Sequence, residues 1–155
     1  MSELRIGTGF DAHALADGVP LILGGVRIEH PRGLEGHSDG VVLAHALTDA
    51  VLGAAGMEDI GALFPAATGA DSVELLREAW RRVRERGWEL VNADVVLIGE
   101  EPRIAPHRDA MRARLADALG VEPERVAVRA TTTDGLGFTG RGEGLAAQAV
   151  ALLQR

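Results

Sequence analysis

Asp11 and His13 stand two residues apart, just behind the apolar Leu4-Arg5-Ile6 segment. Residues two apart on an extended strand point to the same side. The pair therefore sets a carboxylate and an imidazole together at a predicted strand end, followed by a break. One or two further donors would complete a transition-metal site, and His37 and His45 are the candidates. His45 falls in an apolar stretch with Val41 and Asp49 one helical turn away on the same face. Asp49 is spaced to act on the ring from behind, as carboxylates do behind metal-bound histidines. Two histidines and one aspartate supply three donors and leave a fourth tetrahedral position open, the pattern of a catalytic zinc site. The competing explanation for a lone helical histidine is a structural role.

Two further segments are chemically dense. His37-Ser38-Asp39-Gly40 precedes the His45 helix. Ser38 or Asp39 suits an N-cap, while free amides, a hydroxyl and an imidazole at a helix start also suit a phosphate. The run from Ala130 to Gly144 holds three consecutive threonines, Asp134, Arg141 and five glycines after the acid. Glycine permits close backbone approach to a ligand. Thr132 and Arg141 can meet phosphate oxygens, and Asp134 is a hard oxygen donor for Mg²⁺ or Mn²⁺. Neither the Walker pattern nor the dinucleotide fingerprint is present.

The elements that must position these residues follow from patterning. Leu4 to Phe10 reads as a strand, and Leu21–Leu23 with Val26–Ile28 as a hairpin around Gly24-Gly25. A helix is predicted from the Ser38/Asp39 cap through Ala55, and a second from Val73 to Arg86, capped by Asp71 or Ser72. Leu90 to Ile98 reads as a buried strand. A third helix runs from Pro106 to Gly120, Val126 to Thr132 is a strand, and the alanine-rich Gly144 to Leu153 is predicted as a closing helix. This order of strands and helices implies an α/β fold, an α+β sandwich with a mixed β-sheet covered by helices. The alanines of the closing helix offer a flat surface for close packing.

At 155 residues the chain reads as a single domain spanning 1–155, able to bury one core. There is no cysteine, so disulfides and thiolate metal sites are excluded. All 16 basic residues are arginine, which rules out Schiff-base chemistry through a lysine amine. An anionic substrate must be held by arginine, backbone amides or metal. The net charge of −7 argues against nucleic-acid binding. With no apolar run of membrane-spanning length and no targeting segment, a cytoplasmic protein without a membrane partner is expected.

Gly9-Phe-Asp-Ala-His13, His37-Ser-Asp-Gly40, His45-Ala-Leu-Thr-Asp49, Asp59-Ile-Gly61 with Phe64-Pro65, and the Thr131 to Gly144 run appear together here. Their combination resembles the 2-C-methyl-D-erythritol 2,4-cyclodiphosphate synthase family over essentially the whole chain. The resemblance implies a lyase of the non-mevalonate route to isoprenoid (terpenoid) precursors. It cyclises 4-CDP-2-C-methyl-D-erythritol 2-phosphate and releases CMP. Asp11, His13 and His45 are then the ligands of one Zn²⁺ per subunit, and Asp134 takes the place of an acid, usually glutamate, at a second divalent ion (Mg²⁺ or Mn²⁺) with the substrate diphosphate. His37 and Ser38 would contact substrate phosphate, with His37 and Thr132 as the catalytic residues that stabilise the transition state.

The same resemblance assigns Asp59, Ile60, Gly61 and Phe64 to the sugar pocket. Gly99, Glu100, Glu101, Pro102, Arg103, Ile104 and Ala105 would hold cytosine, largely through backbone groups, and Thr131, Thr132, Thr133 and Asp134 would contact substrate. Phe138 and Arg141 match phosphate-binding surface near a subunit interface. The family is a homotrimer with active sites between subunits. The chain departs from it at Val41, where aspartate is usual, at Ala66-Ala67-Thr68 in place of Asp-Thr-Asp, and at Asp134. The first two departures keep open a weakened relative that binds isoprenoid phosphates or cytidine nucleotides. A metal-dependent phosphohydrolase could use the same ligands with water as nucleophile.

Overall fold

The computed structural model describes residues 2–35, 41–65 and 71–155, with Val41 described in its backbone only. The chain runs through β1 (Leu4–Asp17), β2 (Leu21–Leu23), β3 (Val26–Ile28), β4 (Arg32–Leu34), α1 (Val41–Ala54), α2 (Ile60–Leu63) and α3 (Ser72–Glu85). It continues through β5 (Glu89–Ile98), α4 (Arg108–Leu119), β6 (Val126–Thr131), α5 (Gly137–Gly140) and β7 (Gly144–Gln154). Five strands form one mixed sheet in the order β4-β1-β7-β5-β6, and β2 pairs with β3 as the predicted hairpin. Only β5 and β6 are parallel, joined through α4; the other pairs are antiparallel. The mixed sheet with covering helices matches the expected α/β class.

One long antiparallel pairing organises the sheet. β1 and β7 run in register from Leu4 opposite Gln154 to Ala14 opposite Gly144. On the inner face of β1 lie Gly7, Gly9, Asp11 and His13, by the two-residue period. α1 lies directly on the two glycines. A Cβ on Gly9 would stand 1.8 Å from the Ala46 carbonyl oxygen, and one on Gly7 would stand 2.0 Å from that of Ala50. No side chain fits there, so the helix approaches the strand backbone to backbone, with Ala46 and Ala50 one turn apart above it. The helix runs back along the strand as the strand runs forward, which brings His45 over Asp11 and His13.

α1 is buried nearly all round: Val42, Leu43, Ala44, Ala46, Leu47, Ala50, Val51 and Leu52 are fully enclosed. Thr48 is buried too, and its hydroxyl donates to the Ala44 carbonyl at 2.6 Å. Only His45 and Asp49 form a half-open polar stripe on this helix interior. α3 packs against α1, and α4 against α3 and β6. α3 starts as expected, with the Asp71 side chain accepting the Val73 amide at 2.9 Å. Its buried stripe is Val73, Leu76, Ala79, Trp80 and Val83.

Two expectations are corrected. Gly144 to Leu153 is not a helix but the central strand β7. Alanine favours helix in isolation, yet here Leu145, Ala147, Ala149, Ala151 and Leu153 alternate inward under α1 while Gln148, Val150 and Leu152 face out. The small side chains are what allow the helix to lie close, and tertiary packing overrides the propensity. The chain also does not break after His13. β1 continues to Asp17 by pairing Leu15, Ala16 and Asp17 with the short strand β4, which the sequence reading did not foresee.

Among the described residues, the opposite face of the sheet is bare around the start of β1. Leu4, Ile6 and Phe10 are 59%, 69% and 59% exposed on β1, with Val150 and Leu152 partly exposed beside them on β7. No helix among the described residues is long and apolar enough to cross a membrane.

Candidate metal centre and active site

The strand and the helix bring the three expected donors together. His13 Nε2 lies 3.1 Å from Asp11 Oδ2, and His45 Nδ1 lies 3.5 Å from the same oxygen. One ligand atom from each residue falls within 4.8 Å of the others, and all three are half-buried. The two imidazoles meet edge-on with centroids 6.5 Å apart.

Hydrogen bonding fixes how His13 presents itself. Its Nδ1 is 2.8 Å from the Glu35 backbone carbonyl, which can only accept, so Nδ1 carries the hydrogen. In the neutral ring Nε2 is then a lone pair aimed at a carboxylate oxygen. Two acceptors 3.1 Å apart require positive charge between them, a proton or a metal ion. Without metal the proton is favoured: its hydrogen bond to Asp11, opposed by burial, raises the His13 pKa above the ordinary histidine value. Burial is the largest influence on Asp11 and pushes its pKa up, but His13 and His45 together hold it below the usual carboxylate range.

The donor set suits a cation by a second criterion. With His13 neutral, Asp11 Oδ2 has no hydrogen-bond donor among the described residues, and the buried His45 Nε2 has no partner among them either. Such atoms are rare because each costs about 1–3 kcal/mol when left unsatisfied. An ion coordinated by the carboxylate would satisfy the oxygen.

Glu35 is the functional contributor that sequence reasoning missed. Its N–H donates to the Ala14 carbonyl at 2.8 Å, one step beyond the β1–β4 ladder. That bond holds the carbonyl that orients His13, the task expected of Asp49 for His45. Asp49 is otherwise engaged, accepting the Ile60 amide on Oδ1 at 3.0 Å. Burial pushes its pKa up, with Asp59 and Asp11 adding to the rise and the Ile60 bond and His45 opposing it. Asp49 thus ties α2 to α1 beside the metal set.

The expected sugar-pocket residues gather on α2. Asp59 is its N-cap, accepting the Ala62 amide at 3.0 Å. Ile60 and Gly61 form its first turn. Phe64 closes it, packed against the core and covered by the Arg82 guanidinium 4.5 Å above its ring. His37 and Ser38 lie outside the described residues, as do Ala66, Ala67, Thr68 and the Val41 side chain.

The 99–105 segment and the threonine run meet at the far side of the sheet. Gly99 donates to the Thr131 carbonyl at 3.0 Å, extending the β5–β6 ladder. Glu100 Oε1 accepts the Gly135 amide at 3.3 Å. Glu101, Pro102, Arg103 and Ala105 border solvent, while Ile104 is buried in the core. Thr132 and Asp134 bond to each other, and Thr133 to Leu136 and Thr139. Phe138 borders a shallow hollow of about 280 Å³ with His13, Ala12, Ala14, Glu143 and Gly144. Arg141 is paired with Glu143 at 2.9 Å.

Within one chain the metal set and the threonine run stay apart. Thr131 pairs with Ile98, Ile98 with Ala146, and Ala146 with Ala12. The run is therefore level with the Asp11-His13 pair but three strands away, roughly 14 Å at about 4.8 Å per strand.

Known proteins share this architecture. The YgbB family model matches residues 4–154. The 2-C-methyl-D-erythritol 2,4-cyclodiphosphate synthase of Rubrobacter xylanophilus is 61% identical over 100% of this chain and 98% of its own length. That of Cronobacter sakazakii is 57% identical over 98% of each. Among solved structures, the bifunctional IspDF from Campylobacter jejuni superposes with a TM-score of 0.95 at 44% identity, covering 99% of this chain and 43% of the larger one. A CDP-bound form of 2C-methyl-D-erythritol-2,4-cyclodiphosphate synthase gives 0.87 at 40% identity, over 96% of this chain and 99% of that one. The chain therefore belongs to the YgbB family, an enzyme family whose matched relatives are 2-C-methyl-D-erythritol 2,4-cyclodiphosphate synthases.

Proposed function

We propose that this enzyme converts 4-CDP-2-C-methyl-D-erythritol 2-phosphate to 2-C-methyl-D-erythritol 2,4-cyclodiphosphate and CMP. The observation that carries the reading is the Asp11-His13-His45 cluster, with its orphaned carboxylate oxygen, in a chain 61% identical to a named synthase. In this reaction an oxygen of the 2-phosphate attacks the β-phosphorus. The bond from that phosphorus to the bridging oxygen breaks, and CMP leaves with the bridging oxygen. No covalent enzyme intermediate is required, so the protein's task is to fold the substrate into line and neutralise crowded phosphates.

The chain's own residues divide that task. Asp11, His13 and His45 would hold Zn²⁺, which supplies Lewis-acid charge at a phosphate oxygen when bound. His37 and Ser38 would grip phosphate, and Thr132 would donate its hydroxyl to the oxygens that gain charge. Asp134 would serve a second divalent ion (Mg²⁺ or Mn²⁺) on the diphosphate. The 99–105 segment would take cytosine, and Asp59 to Gly61 with Phe64 the methylerythritol. Arg141 acts with Glu143 as a pair rather than as a free cation.

The separation of these groups in one chain supports an assembled active site. A substrate touching both Asp11 and Thr132 needs the threonine run of a second copy. The apolar sheet face around Ile6 and Phe10 is suited to burial between copies, and a homotrimer with intersubunit sites meets both requirements.

Phosphorus NMR on the CDP-bearing substrate tests the reading. The expected products are a cyclic diphosphate and CMP, lost on chelation and restored by Zn²⁺ together with Mg²⁺. Linear products would point to hydrolysis, and turnover undiminished after rigorous metal removal would overturn the metal assignment.

A further inference from the structure

The turn after β6 is held in an unusual shape. Asp134 has φ +53°, the only positive φ at a non-glycine among the described residues, and Gly135 follows at +80°. Left-handed backbone at an L-residue costs energy and persists only where surroundings enforce it. Local bonds hold the turn from inside: Leu136 N donates to the Thr133 carbonyl at 3.0 Å, and the Thr133 hydroxyl lies 3.0 Å from the buried Thr139 hydroxyl. Behind the turn, a Cβ on Gly140 of α5 would stand 2.2 Å from the Gly135 carbonyl carbon, so α5 abuts it directly. On the remaining side, Glu100 Oε1 accepts the Gly135 amide at 3.3 Å. Glu100 is the one side chain of the 99–105 segment with a hydrogen bond to this turn among the described residues.

We propose that Glu100 is a positioning residue that clamps Gly135, and through it aims the Thr132 hydroxyl and the Asp134 carboxylate, rather than a direct substrate contact. The inference rests on the proposed reaction and deepens it. The segment assigned to the nucleobase and the turn assigned to the reacting phosphates are joined at two points, the Gly99–Thr131 backbone bond and the Glu100 side chain. Only the second depends on side-chain identity. The bond uses Glu100 as an acceptor, and a glutamine carbonyl can accept in the same place. Its charge is dispensable to this role.

Steady-state turnover of the CDP-bearing substrate and calorimetric binding of CMP, measured on the metal-loaded assembly, test the role. For Glu100→Ala the expectation is a fall in kcat of roughly tenfold, the scale of one hydrogen bond's net contribution. CMP affinity should stay within about threefold of the parent. Glu100→Gln should recover most of the lost turnover. A circular-dichroism melt coincident with the parent shows that Glu100→Ala is folded. Should it fail to fold, Glu100→Gln against Glu100→Asp, whose carboxylate falls one methylene short, carries the comparison.

Unaltered kcat in the folded alanine variant overturns the proposal. So does a glutamine variant as impaired as the alanine one, which would mean that charge is used directly. Loss of CMP binding in step with kcat overturns it as well, because Glu100 would then be a ligand contact in the nucleobase segment. If the parent enzyme forms no cyclic product, the proposed function fails instead, and the two failures are distinguishable.

Discussion

His45→Ala is expected to lower metal-dependent CMP release by roughly a thousandfold while the fold persists. A catalytic metal contributes several kcal/mol to stabilising a phosphoryl-transfer transition state, and every 1.4 kcal/mol is tenfold in rate. Removing one of three ligands leaves Asp11 and His13, two donors on one strand, to hold the ion alone. The fold should survive because His45 lies in the half-open polar stripe of α1 and not among its enclosed apolar residues. Zinc content by atomic emission and the phosphorus-detected rate should fall together, with the circular-dichroism spectrum unchanged. A variant that still binds one zinc per subunit and turns over normally would show that the ion is held elsewhere.

Among the described glycines, Gly9→Ala is expected to be the most damaging methyl addition. Its Cβ would stand 1.8 Å from the Ala46 carbonyl oxygen and 2.8 Å from the Ala46 carbonyl carbon. Both obstacles are backbone of the largely buried α1, so no side-chain rotation relieves them. Overpacking of a core costs about 1–3 kcal/mol where neighbours can yield, and this site lies at or above the top of that range. The second consequence is functional. Lifting α1 off β1 carries His45 away from Asp11, whose contact is already 3.5 Å. Urea denaturation should show a lower midpoint, and the folded fraction should bind zinc more weakly than the parent. Parent-like stability would mean that α1 does not rest on Gly9.

The chemistry was more legible in the sequence than the framework carrying it. Asp11 and His13 follow from the two-residue period of a strand, and His45 from its place on an apolar helix; the structure gathers all three. The hairpin, α3 and the β5–α4–β6 order follow from glycine placement, capping and apolar runs. β7 did not, because alanine suits either a helix or a strand overlaid by one, and only the neighbour decides. The Glu35 carbonyl was invisible for another reason: a backbone acceptor leaves no mark in residue type. The wide gap between His13 and Thr131 depends on strand order, which local pattern does not encode.

β1 works as a ruler with two scales. Its odd positions from Gly7 to His13 set the height of α1 and then the candidate metal ligands, while Ile6 and Phe10 line the bare apolar face. A single-residue deletion between Gly9 and Asp11 would reverse the reading of everything downstream. The carboxylate and the imidazole would turn to the outer face together, and alanines would occupy the place of the donors. Loop segments elsewhere in the chain can change length; this stretch can change only its side chains, because each ligand's direction is written in the count of residues that precede it.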